Sequence, residues 1–512
     1  MPGKTPWEAA IEVEPKTDSE RYLSQLARRA FLSLWCYSNV HTDEGKTSPT
    51  GDGKELCDLL VVFGNHILIF SDKECVYTDH ADPLVAWGRW YKRAVDKSVS
   101  QLLGAEKFIR EHPDRLYLDK QCNVPFPFRL PNMKQGIIHR IAVTRGSHDA
   151  GVANWQGESS GSLMINTVLE GKADHLKMPF TIGWPAGRDR FVHVLDELTL
   201  DVLLGELDTI ADLVAYFSEK ERFFSSAKYI SAPGEEELIA LYQTTVRNDK
   251  HALPHVPNVP PGSSMIMLPE GEWEAFNTSS QRASRDAANN QSYMWDQIIE
   301  YQSTFIRSAK SVAVLGGSYT VDQQEELVRA MASETRFGRR MLVAALTGVL
   351  HHPVVANGQF TRRARSLSVP DRYYVFTVMG RDVTSDYEVY RKNRALVLTA
   401  YCHGVRLKHP DAKEVIGVAI EPMTSDASSQ DVLYMEFLGP PTPEQLVTAR
   451  EDCDRIGIMQ DSAMSEIAYP AQEFPGPRLM KDYERSNGPA NRAERRAQAS
   501  AQRRNGGGKR GH

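Results

Sequence analysis

Thr50–Glu74, TGDGKELCDLLVVFGNHILIFSDKE, is the stretch from which the N-terminal part of this chain is read. Asp58 stands at the mouth of an apolar run, Leu59 to Phe63. Gly64-Asn65 follows, and a second apolar run, Ile67 to Phe70, ends in Ser71-Asp72-Lys73. A Gly-Asn pair supplies positive φ at little cost, so the two runs predict a β-hairpin. Both runs are apolar on both faces, which places them in the middle of a sheet covered by helices. Side chains alternate along a strand, so Ser71 and Lys73 share one face and Asp72 points to the other. An acid at the start of one strand and a lysine at the end of its partner then converge at one corner of the sheet.

On the N-terminal side, DSERYLSQLARRAFLSLWCY (18–37) spaces Tyr22, Leu23, Leu26, Ala27, Ala30, Phe31 and Leu34 at a helical period, with Asp18 or Ser19 as the expected N-cap. Glu20 falls in the first turn, where a carboxylate also suits the positive end of a helix. On the C-terminal side, Pro83–Glu111 predicts one long helix with Ala94, Val95, Val99, Leu102, Leu103 and Phe108 on its apolar face. Its other face offers Arg89, Lys92, Arg93 and Lys97, with Trp87, Trp90 and Tyr91 interleaved. That mixture suits phosphate contacts and base stacking, and equally a solvated helix face. GIIHRIAVT (136–144) reads as another strand buried on both faces.

An Asp, a hairpin and then a lysine after Ser71-Asp72 resemble the core of the PD-(D/E)XK nuclease superfamily, in particular its nuclease-related-domain and Mrr-type restriction branches. The resemblance covers roughly the first 145 residues, about one domain. It implies a restriction-endonuclease-like α/β domain with a mixed sheet flanked by helices, and a metal-dependent nuclease. Asp58 matches the first acid and a metal ligand, and Lys73 the lysine that positions the attacking water. The family sets two carboxylates on Mg²⁺ (or Mn²⁺), a hard cation that prefers oxygen ligands. This chain departs from the pattern at Ser71, where the family has Asp or Glu. Glu20 is the substitute ligand that the resemblance favours, since a helix glutamate binds metal in some branches. Asp72 serves only if the strand bulges, and Glu55 and Asp52 are weaker choices. Ser71 is then expected to hydrogen-bond a metal-bound water, and Gln101 to enter the site from the following helix. The implied substrate is DNA or RNA, with DNA favoured, and the implied role is defence against foreign DNA. An apolar hairpin flanked by an Asp and a Lys also occurs in α/β proteins without this chemistry. The alternative is therefore a catalytically inactive nuclease-fold protein that binds nucleic acid or assembles into oligomers.

Composition narrows the field. The 512 residues leave room for two to four domains, and a net charge of −6 argues against a surface that is basic overall. No apolar run approaches the length of a membrane span, and the N-terminus lacks a signal-peptide core, so a cytoplasmic protein is expected. Six scattered cysteines read as reduced thiols, with little support for a structural zinc site. The acids Asp196, Glu197, Asp201, Glu206, Asp208 and Asp212 read as a solvated or helix-starting face. We expect the nuclease-like domain to run over 1–224, a helical, proline-rich connector over 225–310, an α+β domain over 311–480 and a disordered basic tail over 481–512. In the third of these the β-α-β-β-α order fits a ferredoxin-like half, and Tyr390, Arg391, Lys392 and Arg394 form a patch suited to phosphate.

Overall fold

The computed structural model describes residues 17–48, 51–157, 159–254, 265–308, 310, 314–316, 319–382, 384–423, 429–460, 464–465 and 472–475. The basic tail and most of the proline-rich segment lie outside them. The chain divides into two compact units, 1–279 with 299–311, and 280–298 with 312–512. No helix among the described residues is long and apolar enough to cross a membrane. All six cysteines are free.

The first unit opens with helix α1 (Asp18–Phe31), and Thr17, not Asp18 or Ser19, caps it by accepting the Glu20 N–H. Three antiparallel strands follow: β1 (Cys36–Thr42), β2 (Lys54–Phe63) and β3 (His66–Glu74). The β2–β3 turn uses Gly64 at φ +58°, the conformation that Gly tolerates best. The predicted long helix is α2 (Pro83–Tyr91), a π-turn at Lys92–Asp96, and α3 (Lys97–Glu111). Beyond a short β4 (Leu116–Tyr117), β5 (Ile137–Arg145) runs parallel to β3. Helices α4 (His148–Asn154) and α5 (Gly171–His175) punctuate β6 (Met164–Glu170) and β7 (Thr181–Trp184), and β8 (His193–Leu195) closes the main sheet beside β5. Its strand order is β4-β1-β2-β3-β5-β8. α1 covers one face, where Ser24 Oγ meets Ser38 Oγ at 3.0 Å and Phe31 packs on Phe70. α3 covers the other with Val99, Leu102, Ala105 and Ile109. Strands β2 and β3 are apolar on both sides because both sides are roofed, as their composition predicts.

Helices α6 (Glu197–Glu206) and α7 (Ile210–Ser226) follow β8, and Asp196 caps α6 in a capping box with Thr199. The chain does not leave the unit at residue 224. β9 (Tyr229–Ala232) pairs with β6 and with β12 (Met265–Met267), building a second sheet of order β12-β9-β6-β7. Helix α8 (Glu235–Thr244), the small hairpin of β10 (Val246–Arg247) and β11 (Lys250–His251), and α9 (Glu272–Asn277) make up the part of the expected connector that belongs to this unit before residue 280.

In the second unit, α10 (Ser280–Asn289), the first residues of α11 (Tyr293–Arg307), α12 (Val321–Ala332) and α13 (Arg336–Leu350) precede a four-stranded sheet. Its strands are β13 (Gln359–Arg365), β14 (Arg372–Met379), β15 (Glu414–Ile420) and β16 (Gln430–Glu436), in sequential order. Helix α14 (Tyr387–Lys408) joins β14 to β15, which lie side by side and parallel, and α15 (Pro443–Arg455) follows β16. A ferredoxin-like half would place a strand between those two, so this sheet departs from that expectation. Most of the expected phosphate patch is engaged internally: Tyr390 and Arg394 are buried, and Arg391 and Arg394 both bind Asp431, which leaves Lys392 as its exposed member.

Candidate active site at a fork in the sheet

β2 and β3 pair only as far as Leu59 opposite Phe70. Below that point β2 stays with β1, Cys57 against Val40, while β3 stays with β5 through Ser71–Ala142 to Glu74–Arg145. The strands therefore fork, and backbone N–H groups along the gap lose their ladder partner. Asp58 fills the gap. Its Oδ2 accepts the Asp72 N–H at 2.6 Å and Lys73 Nζ at 3.2 Å, and the side chain is almost wholly buried. Its Oδ1 has no hydrogen-bond partner among the described residues. Asp58 and Lys73 thus meet where the hairpin reading placed them, at the carboxyl ends of the parallel strands β3, β5 and β8. Open α/β sheets commonly bind ligands at such ends.

β3 alternates without a bulge. Ser71 faces α3, where its hydroxyl donates to Gln101 Oε1 at 3.0 Å and lies 3.2 Å from Ser98 Oγ. Ser71 spends its hydrogen bond inward, holding the Gln101 carboxamide, and is not turned to a water in the fork. Asp72 faces the α1 side, where the Arg145 guanidinium binds both its oxygens at 3.1 and 3.3 Å. That pairing commits Asp72 to Arg145 and takes it out of the ligand set. Arg145 lies over the Tyr22 ring, whose hydroxyl donates to Asp201. Burial pushes the Asp72 carboxyl up to about 6 against the pull of Arg145, and the negative charges of Asp58 and Glu20 add to the rise. Glu20 on α1 thus lies within electrostatic range of the Asp72 carboxyl. Asp52 pairs with Lys120, and Glu55 sits opposite His41 on β2, three residues before Asp58.

The raised carboxyl gives an expected pH effect. Between about pH 4 and 6 folded Asp72 holds a proton that unfolded Asp72 has lost, so its contribution is largest at low pH and is lost as pH rises through 6. The stability of the native chain minus that of D72N should fall by up to about 3 kcal/mol across that window. Urea unfolding of both chains at pH 4.5, 6 and 7.5 measures it; a constant difference would refute the assignment.

The interleaved residues of α2 separate cleanly. Trp87, Trp90 and Tyr91 are core residues, all but inaccessible, and stack on one another and on Phe180 and His175, so none is free to stack on a base. Trp90 Nε1 donates to both Cys75 O and Arg145 O and so ties the helix to the ends of β3 and β5. Arg89, Lys92, Arg93 and Lys97 remain exposed, and Arg93 also bonds Val76 O. The π-turn holds Lys92 and Arg93, and such widened turns are frequent at functional sites.

A second polar cluster escaped the sequence reading. His139 of β5, His193 of β8 and Glu221 of α7 bring one donor atom each within 4.8 Å of one another. They stand 54 and 28 residues apart, outside any local motif; the one sequence signal is a single histidine in each of two short, largely apolar strands. No protein-family model matches the chain, and no curated protein and no solved structure matches it at a significant level.

Proposed function

We propose that the chain is a Mg²⁺- or Mn²⁺-dependent nuclease that hydrolyses phosphodiester bonds, with DNA the favoured substrate over RNA. The observation that carries this reading is the fork, which holds a buried carboxylate, a lysine 3.2 Å from it and an unclaimed carboxylate oxygen at one end of the sheet. The run helix, three antiparallel strands, helix and a strand parallel to the third supports the same reading.

The donor set suits a hard divalent cation, which needs one or two carboxylates and fills the rest of its shell with water and substrate oxygens. Asp58 would hold it through Oδ1, with Glu20 the second acid from α1. The ion supplies charge stabilisation at the phosphate and a more acidic water. Lys73, held by Asp58 and a quarter to a third exposed, orients the attacking water and offsets charge on the phosphoryl oxygens. Gln101, fixed through Ser71, presents its amide to the same face. Arg89, Lys92, Arg93 and Lys97 bind backbone phosphates and set the register of the strand without reading its bases.

Plasmid and linear DNA incubated with purified protein in Mg²⁺, Mn²⁺ or EDTA test this directly. Cleavage with either metal and none in EDTA is expected; intact substrate in all three overturns it. One observation favours a second reading. The position where the family carries its other acid is a buried serine satisfied by Gln101. A chain that retards DNA in EDTA yet leaves it uncut with metal is a binding module.

A further inference from the structure

We infer that His139, His193 and Glu221 form a Zn²⁺ site, separate from the fork. His139 is level with Leu68 on β3, whereas Lys73 is level with Thr144. Five residues of strand, about 17 Å, therefore separate the two along β3 and β5.

The placement follows from packing. β5 and β8 are parallel neighbours with Ile141 opposite His193, so His139, two residues before Ile141, projects from the same face as His193. α7 crosses that face. Phe217 and Glu221, one helical turn apart, both meet the histidines. The Phe217 ring stacks on His193 at 4.0 Å and lies 5.6 Å from His139, wedging the two imidazoles. Phe191 closes the near side at 4.7 Å from His193. Glu221 Oε1 then lies 3.0 Å from His193 Nε2 and 3.3 Å from His139 Nδ1.

Those separations match a metal centre. Zn–N and Zn–O bonds of about 2.0–2.1 Å in a tetrahedron put neighbouring donors about 3.3–3.4 Å apart. His139 Nε2 is 3.2 Å from His66 Nδ1, the outer hydrogen bond that fixes a ligating imidazole's tautomer. Both histidines are fully buried while Glu221 is about a third exposed, so the one open direction is toward solvent beside the carboxylate. Two imidazoles and a carboxylate with one open position form the three-ligand, water-completed set of zinc sites. Imidazole donors select a first-row transition ion over Mg²⁺.

The full-length chain, stripped with chelator, is titrated with Zn²⁺ by calorimetry and with Co²⁺ by visible absorption. One Zn²⁺ per chain with a Kd of about 1 μM or tighter is expected, with no Mg²⁺ competition. E221Q and H139Q should each weaken binding at least about tenfold. The Co²⁺ chain should show d–d bands without a thiolate charge-transfer band, which separates this site from the six cysteines. Absence of stoichiometric Zn²⁺ binding, a thiolate band, or unchanged affinity in a natively folded E221Q overturns the assignment. Should either variant misfold, the Co²⁺ spectrum of the native chain still decides.

Discussion

Asp58→Asn is expected to lower metal-dependent DNA cleavage by about a hundredfold or more while leaving the fold in place. The asparagine Oδ1 can still accept the Asp72 N–H, so the fork keeps its central hydrogen bond. The anionic ligand and the partner of Lys73 are lost. A group that stabilises charge in the transition state is worth about 10²–10³ in rate, and Lys73→Met should cost about the same. Ser71→Asp makes the converse test. It restores the acid-x-lysine spacing on the Lys73 strand, and if the fork is a metal centre this substitution should raise cleavage or lower the Mg²⁺ concentration at half-maximal rate. Unchanged cleavage in D58N and K73M, with thermal unfolding like that of the parent, would remove the fork from the chemistry. Loss in both, with DNA retardation in EDTA preserved, would assign them to catalysis and not to binding.

The hairpin was legible because its information is local: Gly64-Asn65 fixes the turn, and period-two alternation fixes which side chains share a face. Asp58 and Lys73 follow from those two facts. The fork is not local. It exists because β2 finishes its pairing with β1 and β3 with β5, and neither partner is visible in the twenty-five residues that carry the motif. The same reason hid the fate of Asp72. Arg145 stands 73 residues away and arrives only when β5 lies against β3. Trp87, Trp90 and Tyr91 misled in another way. Aromatic and basic residues interleaved on one helix fit a stacking surface in composition, but the helical period sorts them onto opposite faces, and burial assigns the aromatics to the core. The connector expected after residue 224 failed because β9 is a four-residue strand with little apolar signal, and its partners, β6 and β12, lie on either side of it in sequence. His139 and His193 needed strand register, and Glu221 needed the crossing of α7; no spacing rule encodes either.

Asp296→Ala is expected to be the most damaging substitution in the second unit, destabilising it by about 3–5 kcal/mol. Asp296 Oδ1 accepts from Arg339 Nη1 at 2.6 Å and Oδ2 from Arg336 Nη1 at 2.9 Å, and the two arginine side chains are 1% and 8% exposed. Removing the carboxylate leaves the Arg339 guanidinium without its carboxylate partner in the interior and takes one from Arg336. Arg339 keeps the Glu334 and Ala332 carbonyls, and Arg336 keeps Ser292 Oγ and the Tyr293 ring. The acceptors left to Arg339 are neutral and satisfy its hydrogen bonds without cancelling its charge, so that electrostatic cost stands. Trp295, next to Asp296, packs edge-on against Tyr374 and Phe376 of β14 and donates to Met331 O. The loss should therefore spread to the sheet as well as to α13. Asp296→Asn should fall between the native chain and D296A, because it returns one acceptor but no charge. Replacing all three residues with apolar ones of similar volume should recover most of the stability, because a buried ion network binds weakly relative to good packing and costs most when half removed. Hydrogen exchange across the full chain reads the effect by region. Amides of β14, β15 and α13 should lose protection in D296A while those of β2, β3 and β5 keep theirs, since the substitution lies in the other compact unit. Uniform loss over both units would mean that they unfold as one, and undiminished protection would mean that the interior tolerates the loss of the carboxylate beside Arg339, contrary to the ion-pair argument.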